Sequence, residues 1–314
     1  MNHYRVFSDS KNSRDIRGHF TLTLPPNENR IGEGGKRTKP QDHCSMDGNK
    51  PLVSIITVVL NGATHLEQTI HSVFEQSHEY LEYIIIDGGS TDGTLDIIKK
   101  YEEKLEYWVS EADNGVSEAF NKGITLTRGD FIQVLNADDW LSPDQIETAV
   151  GGIYNKDCDY VYGDLIFHDG FSKPLFLYKG KAGYDRSIRR TMPRLNHPTV
   201  LAKSEMYKNI GGFDSDYKLA MDYEWLLRAH VSGYRGKYIP GLVGHMRRAG
   251  LSDKKFLEAQ REVLHISMKY GYPPYLAYPY YLYRVFRGSA GKLIEDVLPF
   301  GIGKKIVGSL KRYL

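Results

Sequence analysis

Phe131-Ile132-Gln133-Val134-Leu135-Asn136-Ala137-Asp138-Asp139 is the stretch on which the reading of this chain turns. A short apolar run bounded by polar residues reads as a buried strand. In an open α/β sheet the ends of such strands are where ligands bind. Two adjacent carboxylates at a strand end repel each other and lose hydration, so they call for compensation. A hard divalent cation with oxygen ligands supplies it, which points to chemistry on a phosphorylated substrate.

Upstream the pattern is regular. Leu52 to Val59 is β-branched and apolar, as in a buried parallel strand. Thr64 with Glu67 reads as a capping box for a helix carrying Leu66, Ile70, Val73 and Phe74. Tyr83 to Ile86 forms a second strand ending at Asp87, and the turn Gly88-Gly89-Ser90-Thr91-Asp92-Gly93 opens the next helix. A short strand at Tyr107 to Val109 and a helix at Ser117 to Leu126 complete the approach to Phe131. Strand alternating with helix predicts a three-layer α/β/α sandwich around a mostly parallel sheet. Downstream the pattern loosens. Tyr160 to Phe167 and Leu175 to Tyr178 read as strands, Leu219 to His230 as a helix, Lys237 to Ile239 as a last short strand, and 254–314 as a helical extension.

The chain has 314 residues, a formal net charge of +2 and two cysteines, Cys44 and Cys158. That charge is too small for wholesale nucleic-acid binding. Two thiols outside any metal-ligand spacing make no disulfide framework and suit a reducing compartment. No apolar run is long enough to span a bilayer and no signal-peptide pattern opens the chain, so the expectation is cytoplasmic. Residues 1–50 lack periodicity and read as a disordered tail. Gly32-Glu33-Gly34-Gly35-Lys36 lacks the spacing of a phosphate loop and has Arg37 where Ser or Thr belongs. No G-x-G-x-x-G follows the leading strands, so a dinucleotide site is unsupported. Asp87 has two readings: a carboxylate that meets a nucleobase or ribose, or a helix cap.

Four segments in order carry a family resemblance. Val53-Ser54-Ile55-Ile56-Thr57-Val58-Val59-Leu60-Asn61, Ile86-Asp87-Gly88-Gly89-Ser90-Thr91-Asp92-Gly93-Thr94, Asp113 through Ile124, and Gly129 through Asp139 resemble family 2 glycosyltransferases of the GT-A fold. The similarity runs over about residues 51–250, nearest the transferases of bacterial polysaccharide assembly. It implies a nucleotide-sugar half at about 51–140, an acceptor half at about 141–250, and a helical extension at 251–314. It also implies a hexosyltransferase-like, inverting reaction. A UDP- or GDP-sugar gives its sugar to a hydroxyl of a saccharide or lipid-linked saccharide, assisted by Mn2+ or Mg2+.

By resemblance, Thr57, Asn61, Asp87, Asn121, Lys122, Asn136 and Ala137 belong to the donor side. Asn136-Ala137-Asp138 occupies the D-x-D position, with Asp138 as metal ligand and a neutral Asn136 where the motif has its first aspartate. Leu219 through Arg228 matches the segment that carries the catalytic base, with Asp222 as the base and Glu224 as the fallback. His197 falls on the acceptor side. His245 falls where some relatives have a further metal ligand or diphosphate contact.

Residues 270–283 hold seven tyrosines, and a helix from Ile302 would set Ile302, Ile306, Val307, Leu310 and Leu314 opposite Lys304, Lys305, Lys311 and Arg312. Such a helix suits peripheral contact with the inner face of the cell membrane, or packs on the domain or a partner. Two competitors remain. A nucleotidyltransferase would need a basic glycine-rich loop after the first strand, which Leu60-Asn61-Gly62-Ala63-Thr64 is not. A catalytically inactive sugar-binding scaffold is favoured by Asn136 alone.

Overall fold

The computed structural model describes residues 21–39, 50–154, 157–248 and 255–297. Four parallel strands form its centre: β2 (Val53–Val59), β3 (Leu81–Asp87), β4 (Tyr107–Glu111) and β5 (Phe131–Asn136). β1 (Arg30–Gly34) lies antiparallel on the β4 edge. The other flank carries β6 (Trp140–Leu141), β7 (Tyr160–His168), β8 (Pro174–Tyr178), β9 (Leu201–Lys203) and β10 (Gly236–Arg247). The ten strands run β1-β4-β3-β2-β5-β9-β7-β10-β6, with β8 paired to β7. β9 is antiparallel to both β5 and β7, whereas β7 and β10 are parallel.

The helices are α1 (Leu66–Phe74), α2 (Thr94–Lys100), α3 (Val116–Thr125), α4 (Gln145–Tyr154), α5 (Asp185–Ile188), α6 (Ser204–Ile210), α7 (Met221–Val231), α8 (Phe256–Lys269) and α9 (Pro274–Val297). Alternation along the strands sorts the core into two faces. Ile56, Val58, Ile84 and Ile86 pack on α3, α6, α7 and α8. Val53, Ile55, Val59 and Ile85 pack on α1, α2 and α4. Both sheet faces are covered, which is why β2 and β3 read as unbroken apolar runs. The expected three-layer α/β/α sandwich is the fold found.

Three expectations are corrected. The stretch read as a disordered tail contains β1, and its Arg37 is buried. The Arg37 guanidinium donates to Glu82 at 2.7 Å and to the Leu126 carbonyl at 2.6 Å. Glu82 also receives Arg128 at 3.0 Å and the Ser54 hydroxyl. A lone arginine in a polar stretch gives no sequence sign of a buried partner 45 residues away. The capping box does not form: His65 is the α1 N-cap without a side-chain cap, and Glu67 instead accepts from Lys100 and Tyr101, both at 2.6 Å. The short strand at Lys237 to Ile239 is the 12-residue β10. Its register on β7 shifts between Tyr238 and Val243, which hides a regular alternation. The amphipathic segment from Ile302 lies outside the described residues.

Candidate active site

The carboxyl ends of β2, β3 and β5 meet at one edge. There β2 ends against Asp87, and Val58 pairs with Asn136. Beyond β5 the chain turns at Asn136-Ala137-Asp138-Asp139 into β6, which pairs with β10 through Leu141–Gly244 and Trp140–His245. This brings 136–140 and 244–247 together, and the two acidic neighbours separate. Asp139 is buried, accepting from the Asn136 side-chain amide at 3.1 Å and the Arg247 backbone N–H at 3.3 Å. Burial, then the charge of Asp138, pushes the Asp139 carboxyl well above the usual range. Asp138 is half-buried and makes no hydrogen bond among the described residues.

Two residues with no sequence signal join this end. The Arg247 guanidinium donates to Gln68 at 2.7 Å and Ser172 at 3.0 Å, and lies 5.0 Å from the Trp140 ring centre. Its Nε is buried without a hydrogen-bond partner. His65 lies in the field of both Arg247 and Asp138; burial and then Arg247 lower its pKa, while Asp138 opposes them. His245 does not present a free nitrogen: Nε2 lies 3.0 Å from the Ser142 hydroxyl and Nδ1 2.9 Å from His168 Nε2. Its ring stacks on Trp140. Burial and then His168 push His245 down to about 4. In this conformation His245 is not a metal ligand.

Around the β3 end, Asp87 is buried with both oxygens occupied. It accepts from the Ser90 hydroxyl at 2.5 Å, the Ser110 hydroxyl at 2.6 Å, and the Ser90 and Gly89 backbone N–H groups at 3.0 and 3.2 Å. Asp87 does not cap a helix, since the next helix begins at Thr94 with Gly93 as its N-cap; as it stands, its carboxylate holds the Gly88–Ser90 turn. A Cβ at Gly88 would lie 2.6 Å from Asp113 Oδ2, so glycine lets the two loops close. Asn61, at φ 52°, ties the β2 end to this turn by accepting from the Thr91 N–H at 2.9 Å.

Three donor-side candidates prove internal. Thr57 is fully buried and accepts from the Tyr83 hydroxyl at 3.0 Å. Asn121 clamps the Phe213 backbone at both ends, donating to its carbonyl at 2.8 Å and accepting from its N–H at 2.7 Å. Lys122 is buried against Glu111 at 2.9 Å and Glu118 at 3.3 Å. Ala137 stays half-buried in the turn.

On the acceptor side the antiparallel register of β9 on β5 carries His197 back alongside the carboxyl end of β5. Gln133 fixes this segment by donating to the Pro198 carbonyl at 2.7 Å. Burial lowers the His197 pKa and the Asp222 charge opposes that, so the two residues share one electrostatic environment. Asp222 is half-buried in the first turn of α7, accepting from the Tyr223 N–H at 2.7 Å. Glu224, the fallback base, is fully buried. It pairs with Arg228 at 2.9 Å and accepts from the Tyr270 hydroxyl at 2.5 Å. The start of α7 is held from two sides. Ser117 at the head of α3 meets Met221, and Glu262 of α8 accepts from the backbone N–H groups of Lys218, Leu219 and Ala220 at 2.8–3.1 Å. Among the described residues no three His, Cys, Asp or Glu groups form a metal cluster.

Comparison with known proteins fits this arrangement. The profile of glycosyl transferase family 2 matches residues 54–212. TuaG of Bacillus subtilis, named for teichuronic acid biosynthesis, is 33% identical over 149 residues, covering 46% of this chain and 59% of its own. An uncharacterised glycosyltransferase of Rickettsia typhi is 34% identical over 192 residues, covering 58% and 60%. The matches thus span about three fifths of these relatives. A mannosyltransferase of Pyrobaculum calidifontis, solved with GDP-Man and Mn2+, superposes with TM-score 0.55 at 17% identity over 85% of this chain and 81% of its own. S. aureus TarS 1-349 with UDP-GlcNAc gives 0.53 at 17% identity over 73% and 71%. The fold is of GT-A type, and the chain belongs to glycosyl transferase family 2.

Proposed function

We propose that the protein transfers a sugar from a nucleoside-diphosphate sugar to a hydroxyl of a saccharide or lipid-linked saccharide in cell-surface polysaccharide assembly. The observation that carries this is the separation of roles at the sheet edge. Asp138 stands at the β5 end with its carboxylate unengaged, while Asp222 stands beside His197 at the head of α7. Solved relatives of the same fold hold UDP-GlcNAc, or GDP-Man with Mn2+.

Asp222 is the general base. It takes the acceptor hydroxyl proton as that oxygen attacks the anomeric carbon and the bond to the diphosphate breaks. A single direct displacement inverts the anomeric configuration. His197, kept neutral by burial, lines the acceptor side. The ion pair and full burial of Glu224 favour Asp222 over it as the base.

The chemistry of the donor end fits a hard divalent ion, Mn2+ or Mg2+. Asp138 offers an open oxygen donor and is the residue that would hold it, leaving most coordination positions to the donor diphosphate. The ion would offset charge on the departing diphosphate. Arg247 adds fixed positive charge at the same end. Asp87 acts on the base side in either of two ways. It shapes the Gly88–Ser90 turn as it stands, or it exchanges one of its present donors for the nucleobase.

The test is thermal stabilisation by UDP and by GDP, each with and without Mn2+, on the wild type and Asp138→Asn. A ligand that binds the folded state alone raises its stability. Metal-dependent stabilisation by one nucleotide, reduced in the variant, is expected. No stabilisation of a folded wild type by either nucleotide would overturn the proposal.

A further inference from the structure

Helix α9 turns large apolar side chains to solvent as well as toward the domain. Its inward side is tied to the domain. Ala277 is buried, Arg284 donates to the Thr191 hydroxyl, and the Arg190 guanidinium lies 4.4 Å from the Tyr280 ring centre. A Cβ at Gly288 would lie 2.2 Å from the Phe256 ring of α8, so the helix approaches closely there. The outward positions are large and apolar. Tyr275, Leu276, Tyr278, Leu282, Tyr283 and Phe286 are 76, 45, 53, 62, 47 and 76% exposed. Residues 275, 282 and 286 follow the i, i+7, i+11 spacing of one helical face. Six of the fifteen exposed large hydrophobic residues among those described thus fall within twelve consecutive positions. At about 1.5 Å per residue they make a continuous stripe about 17 Å long. Contiguous apolar surface of this kind marks an interaction site.

Charge selects its occupant. From 263 to 294 the sequence has no acidic residue, and four basic ones, Lys269, Arg284, Arg287 and Lys292. The chain that continues from α9 adds Lys304, Lys305, Lys311 and Arg312 against Glu295 and Asp296. Residues 263–314 therefore carry a formal net charge of +6, whereas the whole chain carries +2 and the remainder is net acidic. A protein partner of arbitrary charge has no need of this segregation; an anionic surface does. Tyrosine suits the boundary between water and hydrocarbon because its ring is apolar and its hydroxyl stays hydrated. Among the described residues no helix is long and apolar enough to cross a membrane, so the helix would lie on a bilayer.

We infer that the outward face of α9 is a docking surface for an anionic phospholipid bilayer. The aromatic stripe enters the interface, the exposed Arg287 beside it meets the lipid headgroups, and the net positive charge of the 263–314 sequence adds attraction to an anionic surface. Because α8 holds the backbone just ahead of Asp222 through Glu262, and α9 packs on α8, a bound bilayer would fix the orientation of the acceptor side. The inference does not rest on the transferase reading.

The test is co-sedimentation of the full chain with vesicles of phosphatidylcholine alone and of phosphatidylcholine mixed with phosphatidylglycerol. Nucleotide-induced thermal stabilisation is read in parallel, so failure at one site is distinguishable from failure at the other. The wild type is expected to bind the anionic vesicles more tightly than the neutral ones. Tyr275→Ser/Leu282→Ser/Phe286→Ser is expected to lower that partitioning by about tenfold with the circular dichroism unchanged. The single variant Leu282→Glu, which places a negative charge in the stripe, is expected to act in the same direction and serves if the triple variant fails to fold. Three results would overturn the inference. The wild type could ignore anionic vesicles. The stripe variants could bind as well as the wild type while neutralising Lys304, Lys305, Lys311 and Arg312 to Gln abolishes binding. Or the stripe could prove to join a second copy, seen as a wild-type dimer that the triple variant dissociates.

Discussion

The donor end of the sheet and the head of α7 each present two neighbouring carboxylates, and the fold treats both pairs alike. Asp138 is open and Asp139 is buried under Asn136 and Arg247; Asp222 is open and Glu224 is buried against Arg228 and Tyr270. In each pair one acid is left accessible, which the proposed reading assigns to chemistry, and the other is spent on holding the loop or helix in place. The holding differs. Asp139 is satisfied by a neutral amide and a backbone N–H and sits at a raised pKa, whereas Glu224 is held by a full ion pair. On the proposed reading, the end that would receive a diphosphate and a cation gains from a rigid loop of low net charge, and the acceptor side, which would need one base, can carry a buried salt bridge behind it.

The largest effect follows from the open member of the second pair. Asp222→Asn should lower the transfer rate by about 10²–10⁴-fold, the usual contribution of a positioned base. Nucleotide-induced thermal stabilisation should stay unchanged. The converse result, rapid transfer by Asp222→Asn and a folded but inactive Glu224→Gln, would reverse the assignment within the pair. The buried member predicts a change in stability. Glu224→Ala leaves the Arg228 guanidinium buried without its carboxylate, and should cost about 3–5 kcal/mol in urea unfolding.

How much of this was legible in the sequence depends on how far apart the partners lie. β2, β3 and β5 were readable because both faces of each are covered, leaving unbroken apolar runs. Asp138 could be singled out because it lies in the turn just past the end of one of those strands. Asp139 and Glu224 could not be told from their neighbours, since what holds them comes from β10 and from Tyr270 at the end of α8, 108 and 46 residues away. Thr57, Asn121 and Lys122 lie in donor-side segments by resemblance, yet their side chains point into the core; segment order does not report which way a side chain faces. Arg37 is the extreme case, a polar residue in an aperiodic stretch that sits in the centre of a charge network. Arg37→Ala should destabilise the fold by about 3 kcal/mol, since Glu82 retains Arg128 and Ser54. A tail without structural role would give no change in the unfolding midpoint.

The open member of the first pair gives a smaller effect, seen in affinity. Asp138→Asn keeps the shape and removes the charge. Nucleotide affinity in the presence of Mn2+ should fall by at least about tenfold, or ~1.4 kcal/mol, measured by calorimetry. Without metal the two proteins should bind alike. A loss that persists without metal would mean that Asp138 acts on the donor directly.

The smallest effect separates the histidines of the two ends. Burial lowers both His197 and His245, but at His197 the Asp222 charge opposes it, while at His245 the neighbouring His168 reinforces it. His245 is pushed from 6.5 down to about 4 in the folded protein. As pH falls below 6.5 the unfolded chain takes up a proton that the folded chain refuses, so stability is full above 6.5 and is lost progressively towards pH 4. The ring is only partly buried, and screening holds the loss to about 1 kcal/mol. His245→Gln should therefore flatten the decline of the unfolding midpoint between pH 6.5 and 4. His197→Gln should flatten it less, because Asp222 supplies part of the charge that a protonated imidazole needs. Equal flattening by the two variants would mean that Asp222 does not act on His197, and would remove the electrostatic link that joins the base to the acceptor side.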